Sequence, residues 1–153
     1  MNKIQKWLEN EIAFQFSGSS HINSWVGDRH LKHYSENRLL GIANASAWEF
    51  TPDFVAVFVF EGSKQIAFMN FTKDTLGLTE LGELHVYAKI AEPTLAVQAT
   101  ASGLSKDLYS LLLNQGIQDR LLGYSLDRKI LVGHWDESKS AIPQDSFFPP
   151  RDI

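Results

Sequence analysis

Two histidines and an aspartate near residue 30 have side-chain types and a spacing that could hold a metal ion. Asp28, His30 and His33 form a D-x-H-x-x-H pattern, in which the two histidines would share one face of a helix. Neutral imidazole and carboxylate ligands suit zinc or another first-row divalent cation. The usual helical zinc motif, however, spaces its histidines by four residues, and here an arginine and a lysine are interleaved. We therefore expect a solvated polar turn and no bound cofactor, with these three residues as the metal-site alternative.

Acid–base chemistry is the second possibility that the histidines raise. His134 and Asp136 lie two residues apart in a predicted strand and would share a face, while His85 lies on the polar face of another predicted strand. An imidazole beside a carboxylate can act as a general base near neutral pH. The chain has no G-x-S-x-G nucleophile motif and no glycine-rich phosphate loop. His85, His134 and Asp136 are therefore catalytic candidates, against the simpler interpretation of a local surface hydrogen bond.

Aromatic residues outside the central strands could instead form a protein-binding surface. Trp25 and Tyr34 precede those strands, and Phe147-Phe148 is followed by two prolines near the end of the chain. Trp and Tyr are enriched at binding hot spots, and a proline-stiffened aromatic tail can dock into a partner. The alternative is that these four side chains pack on the protein's own core. We predict Trp25, Tyr34, Phe147 and Phe148 as the partner-binding residues.

The element that must position all of these residues is a central β-hairpin. Phe54 to Phe60 is an unbroken apolar run rich in β-branched and aromatic residues, and a second apolar run, Ile66 to Phe71, follows a polar turn. Because successive side chains of a strand point to opposite faces, a run that is apolar throughout must be covered on both sides. The hairpin is therefore predicted to be the middle of a layered domain.

The rest of the chain predicts an α+β fold with a mainly antiparallel sheet of about five to seven strands. Residues 38–50 are ambiguous between strand and helix, and we interpret them as a strand. The segments 84–90 and 95–99 alternate apolar and polar residues and are interpreted as a second hairpin with one wet face. The remaining predicted elements are an N-terminal helix over 2–16, a later helix over about 105–115 with a further turn at 117–122, and a short hairpin over 124–135.

Length, composition and charge limit the class of protein. The 153 residues predict one globular domain over 1–137 and an extended, proline-containing tail over 138–153. The absence of cysteine excludes disulfides and is compatible with a reducing compartment. The N-terminus has no signal-peptide pattern, so we expect a cytoplasmic location and no membrane association. A net charge of −4 with interspersed charges argues against a nucleic-acid-binding surface.

These observations lead to two functional hypotheses. The first is a small intracellular protein-binding domain, such as an inhibitor, chaperone or immunity-type partner, that acts through a surface and not by catalysis. It rests on the aromatic residues and on the absence of a nucleophile, a phosphate loop or a convincing metal set. The second is a small enzyme or ligand-binding domain with an apolar pocket and a histidine acid–base group. A homo-oligomer is compatible with either hypothesis.

Overall fold

The apolar run at the centre of the sequence forms strand β2, and the chain returns along it as strand β3. In the computed structural model, which describes residues 2–150, β2 spans Phe54–Phe60 and β3 spans Ser63–Thr72. The two strands pair in antiparallel register, with Val57 opposite Ile66. The turn between them uses positive φ angles at Glu61 and Gly62. The predicted central hairpin is therefore confirmed.

The sheet around this hairpin has five strands and is mixed. Its order is β1–β2–β3–β4–β7, where β1 is Ser20–Val26, β4 is Leu95–Thr100 and β7 is Leu131–His134. The pairs β1–β2 and β2–β3 are antiparallel, whereas β3–β4 and β4–β7 are parallel. The α+β class is confirmed. The prediction of a mainly antiparallel sheet is wrong for the half that contains β4 and β7.

Strand β4 runs parallel to β3 because residues 84–90, predicted to be a strand, are helical. Helix α2 spans Leu78–Ala91, and the Glu80 side chain accepts a hydrogen bond from the N–H of Gly77 at its start. Leu81, Leu84 and Ala88 recur at helical spacing and are buried. A helix of this length carries the chain across the sheet, so that β4 can run parallel to β3. The predicted second hairpin is therefore wrong, although β4 itself is a strand.

The predicted helices are present, but the predicted strand before β2 is not. Residues 38–50 form no strand, and residues 27–50 contain only turns and short 3-10 helices at Leu31–Tyr34 and Ala45–Ala47. Strand β1 lies between the predicted N-terminal helix and residue 38, where the sequence pattern predicts no regular element. The other elements are helices α1 (Lys3–Gln15), α3 (Lys106–Leu113) and α4 (Gln115–Leu122), and a two-stranded sheet of β5 (Gly123–Ser125) and β6 (Arg128–Lys129).

Each face of the five-stranded sheet carries its own hydrophobic core. On one face, side chains such as Val55 and Phe68 pack against α2, α3, α4 and the segment 27–50. On the other face, Phe58 and Met69 pack against α1 and the chain after β7. The expected cover on both sides of the central strands is thus present, and each large buried side chain contributes about 1.5–3 kcal/mol to folding.

The segment predicted to be an extended tail is packed on the second face over the part that the structure describes. Ile142 and Phe147 are buried there, and Phe148 forms an isolated antiparallel bridge with Val132 at the outer edge of β7. We call residues 135–148 the strap, because this segment covers the outer edge of β7. Within residues 2–150, no helix combines the length and the apolar composition that a membrane span requires.

Candidate functional site

Strands β3, β4 and β7 end on the same side of the sheet. Their last side chains on the face that packs against α2, α3 and α4 are polar. Their register places Asn70 beside Gln98, and Thr72 beside Thr100, which in turn lies beside His134. Alternate residues share a face, so these five side chains form two polar rows at the carboxyl ends of the parallel strands. In open sheets with parallel strands, ligands bind in crevices at this edge. The carboxyl ends of β3, β4 and β7 are therefore the candidate functional site.

Gln98 is the buried centre of the first row. Its side chain has no solvent exposure, and Nε2 donates to Thr72 Oγ1 and to the carbonyl oxygen of Ala99, both at 3.1 Å. Within residues 2–150, Gln98 Oε1 has no hydrogen-bond partner. An unpaired buried polar atom costs free energy, so this row stabilises the strand ends less than its burial suggests.

Asp53 continues the first row at the start of β2. Its backbone N–H donates to Asn70 Oδ1 at 3.0 Å, and its Oδ2 accepts a hydrogen bond from the N–H of Phe71 at 2.8 Å. The residue as a whole is exposed, but this bond turns the carboxyl group toward the sheet. Loss of hydration raises the pKa of Asp53, the Phe71 hydrogen bond opposes that rise, and the negative charge of Glu83 adds to it.

We expect the pKa of Asp53 to lie above the ordinary aspartate value of 3.8, and Glu83→Gln to lower it by removing a like charge. A raised folded-state pKa favours the protonated carboxyl in the native state. The Asp53 contribution to stability is therefore full below pH 3.8 and is lost as the pH rises through the folded-state pKa. A ¹³C-detected NMR titration of the carboxyl group measures this pKa. Glu137→Gln is the control, because Glu137 pairs with Lys3 and does not act on Asp53. Titration of Asp53 at or below 3.8 would contradict the prediction.

The second row fixes the loops that follow β3 and β4. Thr100 Oγ1 lies 3.0 Å from the carbonyl oxygen of Asp74 and accepts the N–H of Gly103 at 3.1 Å. Ser102 Oγ donates to the carbonyl oxygen of Lys73 at 2.6 Å. Gly103 adopts a φ of 93°, a left-handed conformation that favours glycine. These contacts join the loops after β3 and β4 and fix Gly103, which lies beside the His134 ring.

A cavity of about 350 Å³ opens beside His134, a size typical of small-ligand pockets. Its apolar lining includes Leu104, Val132 and an edge-to-face pair of Tyr109 and Phe148, with ring centroids 5.9 Å apart. Its polar lining includes His134, Asp145 and Ser146. The full lining consists of Thr100, Gly103, Leu104, Tyr109, Val132, Gly133, His134, Asp145, Ser146 and Phe148.

The hydrogen bonds of His134 define which of its ring nitrogens is free. Nε2 lies 3.0 Å from the carbonyl oxygen of Ala101, and because a carbonyl only accepts, Nε2 carries the proton. Nδ1 is then an acceptor in the neutral ring, and the described residues provide no partner for it. The backbone N–H of His134 donates to Ser146 Oγ at 3.3 Å, which ties the cavity to the strap.

The two other acid–base candidates have local structural roles. Asp136 Oδ1 accepts hydrogen bonds from the hydroxyl and the N–H of Ser138, and the hydroxyl bond lowers the pKa of Asp136. His85 Nε2 lies 2.8 Å from the carbonyl oxygen of Gly123 and so joins α2 to β5. Asp145, which the sequence did not indicate, lines the His134 cavity. His134 also lines an adjacent cavity of about 320 Å³ together with Asp136 and Asp145, but its ring forms no hydrogen bond to Asp136.

The proposed metal ligands are close in sequence but do not form a metal site in the structure. The rings of His30 and His33 stack with centroids 6.4 Å apart, and Asp28 accepts a hydrogen bond from the hydroxyl of Tyr34. That bond is the main reason why the pKa of Asp28 is lowered. Across the described chain, from 2 to 150, no three His, Asp or Glu side chains are grouped to hold a metal ion.

Three of the four aromatic residues predicted to bind a partner are buried. Trp25 and Tyr34 pack together with ring centroids 5.4 Å apart, and Phe147 stacks on Trp7 in the opposite core. Phe148 is half-buried and lines the His134 cavity. These positions contribute packing, and a partner-binding role for them stays a prediction. No protein-family model, curated protein or solved structure matches this chain, so its function must be argued from this geometry.

Proposed function

We propose that this protein is a small-molecule-binding domain whose ligand occupies the cavity beside His134. The observation that carries the proposal is that His134 and Asp145 line the same cavity as the apolar side chains of Tyr109 and Phe148, at the carboxyl ends of β4 and β7. A cavity that is largely apolar, with a few converging polar groups, is the usual form of a ligand site.

The polar side chains that line the cavity favour a ligand that donates hydrogen bonds. His134 Nδ1 and the Asp145 carboxylate both accept, whereas the Ser146 hydroxyl already donates to the carbonyl oxygen of Pro143 at 2.8 Å. The carboxylate adds attraction for a positive charge, and the faces of Tyr109 and Phe148 are compatible with a cation or an aromatic ring. The ligand class that fits is a small amine with an apolar or aromatic body.

Binding is better supported than turnover. The ring of His134 makes its hydrogen bond to a backbone carbonyl, and the described residues place no hydroxyl in hydrogen-bond contact with either ring nitrogen. A histidine that activates a serine needs such a contact, although it can be looser in a free enzyme. The group best placed to meet the ligand is therefore an acceptor, not part of a nucleophile–base pair.

Benzylamine and benzoate, which share a ring and differ in charge, provide the test. We expect benzylamine to shift the ¹H–¹⁵N resonances of Gly103, His134 and Ser146 in a saturable way. Asp145→Asn should weaken this binding about tenfold or more, because a hydrogen bond to a charged group contributes about 1.5–3 kcal/mol. Asp127→Asn, a carboxylate outside the cavity, is the matched control. Equal binding by the wild type and Asp145→Asn, or shifts confined to other residues, would overturn the proposal.

Protein binding is the second candidate function, and exposed apolar side chains favour it. Val86 and Ile90 lie one turn apart on the outer face of α2, with 55% and 57% of their surfaces exposed. Helical apolar stripes of this kind recur in helix-mediated recognition. Native mass spectrometry of the protein purified from its source tests it, since a stoichiometric second chain supports it and a bare chain opposes it. A cytoplasmic location stays a prediction.

A further inference from the structure

A second and larger cavity, of about 540 Å³, lies at the opposite edge of the sheet. It is formed where β3 begins and where the chain enters β4, so it is separated from the His134 cavity by the length of the strands. Two cations, Lys64 and Arg128, are among the residues that line it.

Two half-buried cations face this cavity, and both are held by backbone carbonyls. Lys64 Nζ donates to the carbonyl oxygen of Leu40 at 2.9 Å. Arg128 Nη1 donates to the carbonyl oxygens of Glu92 at 2.9 Å and Pro93 at 3.2 Å, at the carboxyl end of α2. These contacts position the two positive groups without neutralising their charge.

Both cations keep hydrogen-bond donors unused. A guanidinium has five N–H donors and an ammonium has three, and the described contacts use only Nη1 of Arg128 and one bond from Lys64. Within residues 2–150, neither cation lies within 4.0 Å of a carboxylate oxygen. The ion pairs that meet this distance involve other residues: Lys3–Glu137, Arg29–Asp28, Lys32–Glu49 and Lys129–Asp119. The carboxylates of Glu92 and Asp127 also line the cavity, but neither forms an ion pair with Arg128 or Lys64 among the described residues.

Apolar side chains stand at the rim of the same cavity. Ile90 is 57% exposed, and Leu126, in the turn between β5 and β6, is fully exposed at 104%. Ile42 lines the wall beside them. A compound that meets both the cations and the rim would carry a negative group at one end and an apolar group at the other.

We propose that this cavity binds a small organic anion. Its carboxylate or phosphate oxygens would accept hydrogen bonds from Arg128 and Lys64, because the guanidinium fork matches the geometry of such oxyanions. Its apolar part would cover Ile90 and Leu126. This site is independent of the His134 cavity, which favours the opposite charge.

Titration of the full chain with benzoate, followed by ¹H–¹⁵N NMR, tests the site. We expect saturable shifts at Gln65, Thr94 and Arg128, which adjoin the two cations. Competition with inorganic phosphate distinguishes the two oxyanions. If phosphate displaces benzoate, the oxyanion alone is recognised. If phosphate does not displace benzoate, the site selects a carboxylate with an apolar body.

Charge-removing variants make the test specific. Arg128→Gln and Lys64→Gln should each weaken benzoate binding about tenfold, as expected for loss of a charge-assisted hydrogen bond. Lys129→Gln is the matched control, since Lys129 is sequence-adjacent but bonds Asp119 at 2.7 Å outside the cavity. Because Arg128 also caps α2, Lys64→Gln, at the exposed start of β3, tests the site if Arg128→Gln does not fold. No saturable shift with benzoate, or unchanged affinity in Lys64→Gln, would overturn the inference.

Discussion

Replacement of Gly27 by alanine is expected to destabilise the protein by about 3 kcal/mol or more. Gly27 follows β1, where its N–H donates to the carbonyl oxygen of Asp53 at 2.8 Å. A Cβ at this position would overlap the carbonyl oxygen of Pro52. Because that oxygen belongs to the backbone at the start of β2, no side-chain rotation can relieve the overlap. The end of β1 and the start of β2 would have to separate.

Chemical denaturation monitored by tryptophan fluorescence measures this effect, and Gly82→Ala is the matched control. Gly82 is exposed within helix α2, and a Cβ there meets open space. Alanine should therefore stabilise that variant by about 0.5–1 kcal/mol through its better helix propensity. If both variants unfold at the same denaturant concentration, the close approach of Gly27 to Pro52 is not a constraint on the fold.

The central hairpin could be predicted from sequence because its signal is local and unambiguous. A run that is apolar on both faces, as in Phe54 to Phe60, has few solutions other than a covered central strand. Strand β1 was missed because His21, Asn23 and Ser24 interrupt its apolar pattern, and a bulge shifts its register between Ser20 and Asn23. As an edge strand, β1 does not need apolar residues on both faces.

Helix α2 was mistaken for a strand because a short segment can satisfy both periodicities. Leu84, Val86, Ala88 and Ile90 alternate, as a strand would require, but Leu84 and Ala88 are also four residues apart on a helix. The structure decides between the two, since Val86 and Ile90 are exposed while Leu84 and Ala88 are buried. The parallel pairing of β4 with β3 follows from that helix, so this local error changed the direction of β4 in the predicted sheet.

The candidate sites could be predicted only in part, because their members are distant in sequence. His134 was selected for its chemistry, but its cavity depends on Tyr109 from α3 and on Asp145 and Ser146 from the strap. The bridge between Phe148 and Val132 brings the strap to β7. No spacing pattern records such a non-local contact. Lys64 and Arg128 likewise lie on either side of β4 and three helices in the sequence, so no spacing pattern relates them.

Phe147 lies in the strap and belongs to the core on the second face of the sheet. Phe147 has 3% of its surface exposed and stacks on Trp7 of α1 with ring centroids 6.3 Å apart. Its ring lies so close to Gly133 of β7 that an added Cβ would meet it at 3.1 Å. Phe147→Ala should therefore lower the free energy of unfolding by about 3–5 kcal/mol, the usual cost of deleting a buried phenylalanine ring.

Leu126→Ala is the control, because a fully exposed apolar side chain should change stability by no more than about 0.5 kcal/mol. The comparison also decides how the aromatic tail can be tested as a partner-binding element. If Phe147→Ala is strongly destabilised, any loss of partner binding after truncation at Phe147 reflects damage to the second core. If Phe147→Ala unfolds at the wild-type denaturant concentration, the ring is not part of that core. A binding role for the tail would then be the better explanation of its two adjacent phenylalanines.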